Sequence, residues 1–80
     1  MTKAEVLAIF AQTGGFLKPD QVLIRLRPRP SRPSFYTYLG RLRGQGLLER
    51  LPRHRRGQLA YCITPRGRDR LAFLRARLGG

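Results

Sequence analysis

The side chains with the clearest chemical potential in this sequence are its arginines. The 80 residues contain 17 Lys and Arg against four Asp and Glu, which gives a formal net charge of +13, and only Lys3 and Lys18 are lysines. The planar guanidinium group can donate two parallel hydrogen bonds to a phosphate or to the edge of a guanine base. A charge excess of this size repels other copies of the chain and attracts polyanions. We therefore expect a polyanionic partner.

The other reactive side chains form no recognisable catalytic or metal-binding pattern. The sequence contains one cysteine, Cys62, and one histidine, His54, which are too few for an internal disulfide or a zinc site. The four acidic residues are scattered, without paired carboxylates, a nucleophile motif or a phosphate-cradling loop. They are Glu5, Asp20, Glu49 and Asp69. We expect a protein that is not an enzyme and that uses neither a metal nor a cofactor.

Length and hydropathy predict one domain over residues 1–80. A chain this short buries only ~60–65% of its unfolded surface and cannot fill two hydrophobic cores. It contains no run of the ~18 apolar residues that a membrane span needs, and its N-terminus lacks the pattern of a signal peptide. We expect a cytoplasmic protein that is associated with the nucleoid.

Capping signals predict two helices in the N-terminal third of the chain. Thr2 and Glu5 have the spacing of a capping box and precede apolar residues at helical spacing, which predicts helix 1 over about residues 3–13. Pro19 suits the first turn of a helix, because a missing amide proton costs little there. It predicts helix 2 over about residues 19–27, after a short extended segment at Phe16 and Leu17.

A proline-rich turn over residues 28–33 separates helix 2 from a third helix. Ser31 is a candidate N-cap and Gly46 a candidate stop, which together predict helix 3 over about residues 32–45. Apolar residues on one side of this helix predict its buried face. They are Phe35, Leu39 and Leu42.

The C-terminal half predicts a β-hairpin followed by a fourth helix. Two apolar segments surround a turn marked by Pro52 and Gly57, which indicates a hairpin over about residues 47–63. Thr64 and Pro65 then provide a cap and a first helical residue for helix 4, over about residues 65–78. Cys62 is expected to pack on the sheet as a small apolar residue.

The outward side of helix 3 carries the residues that can contact a nucleic acid. Arg41 is the first candidate for a guanine contact, and Thr37 can meet a thymine methyl group or a phosphate. Gly40 and Gly44 each cost ~1 kcal/mol relative to alanine inside a helix. Either they permit close approach of a sugar-phosphate backbone or they reflect a weak helix end. The predicted contact residues on this helix are Arg32, Ser34, Tyr36, Thr37, Arg41 and Arg43. The alternative is that these side chains only face solvent.

Three further groups of arginines flank this helix in the sequence. The hairpin tip concentrates charge that a minor groove or a line of phosphates would neutralise; its residues are Arg53, His54, Arg55 and Arg56. The turn before helix 3 is predicted to position the protein on the backbone through Arg25, Arg27 and Arg29. Helix 4 adds to the field with Arg66, Arg68, Arg70, Arg75 and Arg77. Phe73 on that helix is either a dimer contact or a residue at the rim of the core.

Residues 31–48 resemble the recognition-helix signature of winged-helix regulators of the PadR and MarR kinds. The matching residues are Tyr36, Leu39, Leu42, Gly46 and Leu47. Residues 63–67 resemble the step in these families from the wing into the next helix. The resemblance implies a recognition helix in the major groove and a wing beside it. The sequence departs from the families at residues 43–45, where Arg-Gly-Gln replaces the usual acidic residues. We expect neither the long terminal helix nor the ligand domain of these families.

Together these patterns predict an α+β winged helix-turn-helix, with a three-helix core, a two-stranded hairpin as wing and a fourth helix. The predicted function is binding of double-stranded DNA as a sequence-selective transcriptional regulator. Two alternatives stay open: a binder of structured RNA or a non-specific nucleoid or replication-type protein, and a winged helix used for protein interaction. A second copy of the chain is a further predicted partner, in a homodimer through helices 1 and 4.

Overall fold

The fold is α+β, with four helices and a two-stranded antiparallel sheet in the part of the chain that the structure describes. A computed structural model describes residues 2–51 and 59–79. The elements, in chain order, are α1 Lys3–Thr13, α2 Pro19–Leu23, α3 Arg32–Gly44, β1 Leu48–Arg50, β2 Tyr61–Ile63 and α4 Pro65–Gly79. The order of three helices, a hairpin and a helix agrees with the order that the sequence predicts.

Helix α1 begins at the capping box that the sequence predicts. The Thr2 amide donates to Glu5 Oε1 at 2.7 Å, and the Glu5 amide donates to Thr2 Oγ1 at 3.1 Å. These two bonds satisfy amides that have no partner within the helix. Gly14 ends the helix with φ of 73°, in the left-handed region that glycine adopts without strain.

Helix α2 is shorter than predicted. It ends at Leu23 and not near residue 27. Beyond Leu23 the chain continues in tight turns, with Arg25 donating to the Val22 carbonyl at 3.0 Å and Leu26 to the Leu23 carbonyl at 3.1 Å. These bonds to the third residue back replace the bonds to the fourth residue back that an α-helix makes. Pro28 restricts only Arg27, the residue before it. The predicted range of 19–27 is therefore wrong at its C-terminal end.

Helix α3 is capped at its start and buried along one side, as predicted. Ser31 Oγ accepts from the Ser34 amide at 3.4 Å. The side chains of Phe35, Leu39 and Leu42 are completely buried. Gly46 then reverses the chain with φ of 79°.

The sheet pairs β1 with β2 and gains a bridge from the N-terminal half of the chain. Its register places Leu48 opposite Ile63 and Arg50 opposite Tyr61. On the other side of β2, Leu17 and Tyr61 exchange backbone hydrogen bonds of 2.8 and 2.9 Å. The extended segment predicted at Phe16 and Leu17 thus ties the α1–α2 connection to the hairpin. The hairpin tip, residues 52–58, lies outside the described residues.

One hydrophobic core joins the helices to the sheet. Helix α1 packs against α2, α4 and β2, while α3 packs against α2 and β1. The largest completely buried side chains of this core include Phe10 of α1 and Phe35 of α3. Since all the elements share this core, it fixes the direction in which the opposite side of α3 faces solvent.

A close backbone contact fixes the start of α4. Thr64 Oγ1 donates to the Gly46 carbonyl at 2.6 Å and accepts from the Gly67 amide at 2.9 Å. Gly67 is buried, and a Cβ atom there would overlap the carbonyl oxygen of Leu47 and lie 2.7 Å from Ile63 Cγ1. Only glycine therefore allows α4 to approach the α3–β1 turn this closely.

We expect Gly67→Ala to lower the free energy of unfolding by about 1–3 kcal/mol, because the added methyl group meets backbone that cannot rotate away. Urea unfolding followed by circular dichroism would measure the loss. The matched control is Gly44→Ala, another helical glycine, where an added Cβ has no atom within 4 Å. Equal stability of the two variants would contradict the close contact.

Candidate nucleic-acid interface

The solvent-facing side of α3 forms a shallow groove that runs along the helix. It is lined by Pro33, Ser34, Thr37, Tyr38 and Arg41. Residues at these spacings follow one face over about two turns. The opposite face is held by three completely buried side chains. The groove therefore lies on a rigid element, and its side chains start from a fixed backbone.

Within this groove, the hydrogen bond of Thr37 limits what its side chain can do. Thr37 Oγ1 donates to the Pro33 carbonyl at 3.0 Å. With its proton engaged, the hydroxyl can accept a hydrogen bond from a base amino group, and its methyl group can touch a thymine methyl. Donation to a phosphate would break the bond to Pro33. Of the two contacts predicted for Thr37, the geometry favours the methyl contact.

Arg41 is exposed and lines the groove near its C-terminal end. Arg43 is also exposed, but it does not line the groove. Side chains two residues apart on a helix differ in direction by ~160–200° about the helix axis. Arg41 and Arg43 therefore leave α3 in different directions. Both stand in the last turn, where the helix dipole favours cations.

Tyr38 belongs to the groove, although the sequence prediction selected Tyr36. Tyr38 is half-buried against the core, and burial raises the pKa of its hydroxyl. Its position three residues after Phe35 and one before Leu39 marks the edge of the apolar stripe. An amphipathic side chain suits that edge, since its ring can pack inward while its hydroxyl stays near water. The spacing of the apolar residues could thus have identified Tyr38.

Tyr36 and Arg32 lie beside α2, away from the groove that holds Arg41. Tyr36 is 40% exposed and lines a separate groove together with Lys18, Leu59 and the start of α2. Arg32 Nη2 lies 3.6 Å from Asp20 Oδ2, and both side chains are exposed. Such an ion pair contributes only about 0–1 kcal/mol, so it orients Arg32 without fixing it.

The other predicted contact residues are only partly described. Arg25 and Arg29 are exposed in the turn before α3. Arg27 Nη1 donates to the carbonyls of Ile24 and Leu26 at 2.9 and 2.8 Å, so this guanidinium closes the turn after α2. The four residues predicted at the hairpin tip, 53–56, lie outside the described residues. Phosphate contacts by all of these residues stay predictions.

Gly40 and Gly44 lie on the exposed side of α3 with open space around them. An added Cβ at either position would have no atom within 4 Å, and neither residue has a positive φ. Nothing in the described fold therefore requires glycine there. Gly40, inside the helix, lowers its stability relative to alanine by ~1 kcal/mol, whereas Gly44 is the last helical residue.

Cys62 is placed on the sheet, away from the α3 groove. Its thiol donates to Glu49 Oε1 at 3.3 Å. Burial and the nearby carboxylate raise the pKa of Cys62 to about 11, against a weaker opposing effect of Arg68. The thiol is therefore protonated at neutral pH and is a poor nucleophile.

Within residues 2–51 and 59–79, no three His, Cys, Asp or Glu side chains are grouped so that they could hold a metal ion. None of the helices over these same ranges is long and apolar enough to cross a membrane. Comparisons of the chain with models of protein families, with curated proteins and with solved structures gave no match.

Proposed function

We propose that this chain is a winged-helix domain that binds double-stranded DNA and acts as a sequence-selective transcriptional regulator. In this proposal α3 is the recognition helix in the major groove, and the hairpin is the wing on the backbone or in the minor groove. The observation that carries the proposal is the exposed groove of α3, where Arg41 and Thr37 stand on a helix whose other side is buried.

The dimensions and chemistry of α3 suit a major groove. A helix with its side chains is ~10–12 Å wide, and the major groove of B-DNA is ~12 Å wide. Arg41 can donate two hydrogen bonds to the O6 and N7 atoms of guanine, and Thr37 can offer its methyl group to thymine. These two side chains give the helix a means of distinguishing base pairs.

Charge supports a phosphate-binding role for the residues around α3. The whole chain carries +13, and Arg25 and Arg29 are exposed in the segment between α2 and α3. Arg50 is exposed at the end of β1, and it precedes in the sequence the four residues that are predicted as wing contacts. Contacts of this kind position a protein on a duplex but carry no sequence information.

Structured RNA is the first alternative partner, and the groove of α3 favours DNA over it. The major groove of an A-form duplex is deep and narrow, so a helix cannot read base edges there. A non-specific duplex binder would use the same charges without preference among sequences. A protein-interaction module would bind with an affinity that depends little on salt.

We expect affinity for a duplex DNA to fall ~10³–10⁵-fold between 50 and 200 mM salt, because about 6–10 phosphates are neutralised. Fluorescence anisotropy with a labelled duplex would measure the salt slope. Competition by random DNA, by duplex RNA and by a DNA site selected from a random pool separates the alternatives. Equal competition by all three would overturn sequence-selective binding, and a flat salt slope would overturn nucleic-acid binding altogether.

Arg41→Ala should relax base preference at one position and cost ~1–3 kcal/mol on the selected site. The matched control is Arg43→Ala, which removes the same charge from the same helix but outside the groove. It should weaken binding to all sequences alike and lower the salt slope by about 1. Affinities for the selected site and its single-base variants would be compared. Uniform weakening by Arg41→Ala would rule out its base contact.

Gly40→Ala should change stability and binding in opposite directions. Alanine should raise the free energy of unfolding by about 0.5–1 kcal/mol, because the site is helical and open. If a sugar-phosphate backbone approaches α3 closely, the added methyl group should weaken DNA binding. Chemical unfolding and anisotropy on the same preparations would measure both effects. A variant that is more stable and binds DNA with unchanged affinity would show that the glycine serves no close approach.

A further inference from the structure

Helix α4 presents a second cationic surface, separate from the groove of α3. Its arginines are all exposed: Arg66, Arg68, Arg70, Arg75 and Arg77. Asp69 is the helix's one acidic residue. The buried side of the helix includes Gly67 and Leu71. The arginines therefore flank the buried side, and most of the charge of α4 faces solvent.

Along one flank of α4, two of these arginines lie against an exposed aromatic ring. Phe73 is 51% exposed. The guanidinium carbons of Arg70 and Arg77 lie 5.8 and 5.7 Å from the centroid of its ring. Arg70 is one turn before Phe73 and Arg77 one turn after it, so the ring restrains a cation on each side along the helix. This restraint lowers the conformational entropy that the arginines would lose on binding.

We call this flank the α4 patch; it consists of Arg66, Asp69, Arg70, Phe73 and Arg77. Four of these residues line one shallow groove, and Arg77 extends it by way of Phe73. Three guanidinium groups against one carboxylate give the patch a net charge of +2. Its ligand must therefore be anionic.

The topology places the α4 patch at one end of the sheet. Helix α4 follows β2 at the end of the sheet where Leu48 pairs with Ile63, opposite the end where Arg50 pairs with Tyr61. The patch begins near the C-terminal end of α3, where a Cβ at Gly46 would lie 3.3 Å from Arg66 Cδ. From there α4 continues along α1, whereas α3 packs on α2 and β1.

We propose that the α4 patch binds the phosphate backbone of a second duplex, so that one chain can bridge two duplexes. This inference rests on the proposed function, since the first duplex is the one bound by α3. Charge favours a nucleic acid over a second copy of the chain as the occupant. A symmetric contact would bring two cationic patches together on molecules of +13 each. A phosphate backbone supplies the opposite charge, and its binding releases counterions.

A capture experiment tests the bridge directly. A biotinylated duplex on beads is loaded with the chain, free protein is washed away, and capture of a second, fluorescent duplex is measured. The test variant is Arg70→Gln/Arg77→Gln. The matched control, Arg68→Gln/Arg75→Gln, removes the same charge from the other flank of the same helix. Binding of one duplex is measured for each protein by anisotropy.

The wild-type chain and the control should capture the second duplex, and the test variant should capture it at least ~10-fold less. Single-duplex affinity should change little and equally in both variants. Equal loss of capture in both variants would overturn the patch in favour of general charge, and loss of single-duplex binding in the test variant alone would indicate one continuous footprint. Absence of capture by wild type that still binds one duplex also overturns the bridge. Failure of wild type to bind any duplex overturns the proposed function instead.

Sedimentation of the chain without DNA tests the other candidate occupant of the patch, a second copy of the chain. A monomer at low salt is expected, because unscreened surface charge opposes self-association, and this expectation replaces the homodimer through helices 1 and 4 that the sequence suggests. A dimer that Arg70→Gln/Arg77→Gln dissociates would assign the patch to a second copy and overturn the bridge.

Discussion

The contact between Gly67 and the Leu47 carbonyl sets the arrangement of the C-terminal half of the domain. It presses the first turn of α4 against the turn that joins α3 to β1. The Thr64 hydroxyl completes this junction, since it bonds to the Gly46 carbonyl on one side and to the Gly67 amide on the other. One side-chain oxygen thus links the end of α3 to the start of α4. The hairpin leaves from the same junction, so the directions of α3, sheet and α4 are not independent.

Local signals predicted most elements of this fold, because they act within a few residues. The Thr2–Glu5 capping box and the Ser31 cap both form as the sequence indicates. Helix α2 was misjudged, since its end depends on how residues 24–27 turn toward the prolines. The bridge of Leu17 to Tyr61 joins residues far apart in sequence. Periodicity could suggest that Leu17 is extended, but it could not supply its partner.

The candidate site also combines features that local sequence signals predict with features that depend on the fold. The outward direction of Arg41 and Thr37 follows from the apolar spacing of α3 alone, and the groove contains both. The role of Arg27 within its own turn depends on the shape of that turn, which a helix continuing to residue 27 would not have formed. The pairing of Phe73 with two arginines was also missed, although the i−3 and i+4 spacings are visible in the sequence. Spacing shows which side chains can meet, and the fold decides whether the face they share is free.

The two cationic surfaces differ in a way that suits different depths of contact. On α3, Gly40 and Gly44 keep the exposed side low, so a partner can approach the backbone and reach Thr37 and Arg41. On α4, Phe73 stands out from the helix and holds its neighbouring guanidinium groups beside the ring. All the arginines beside this ring are exposed, so they can meet phosphates without entering a groove. These differences support the two proposals together: α3 would discriminate between sequences, and the affinity of α4 for a duplex should depend on charge and not on sequence.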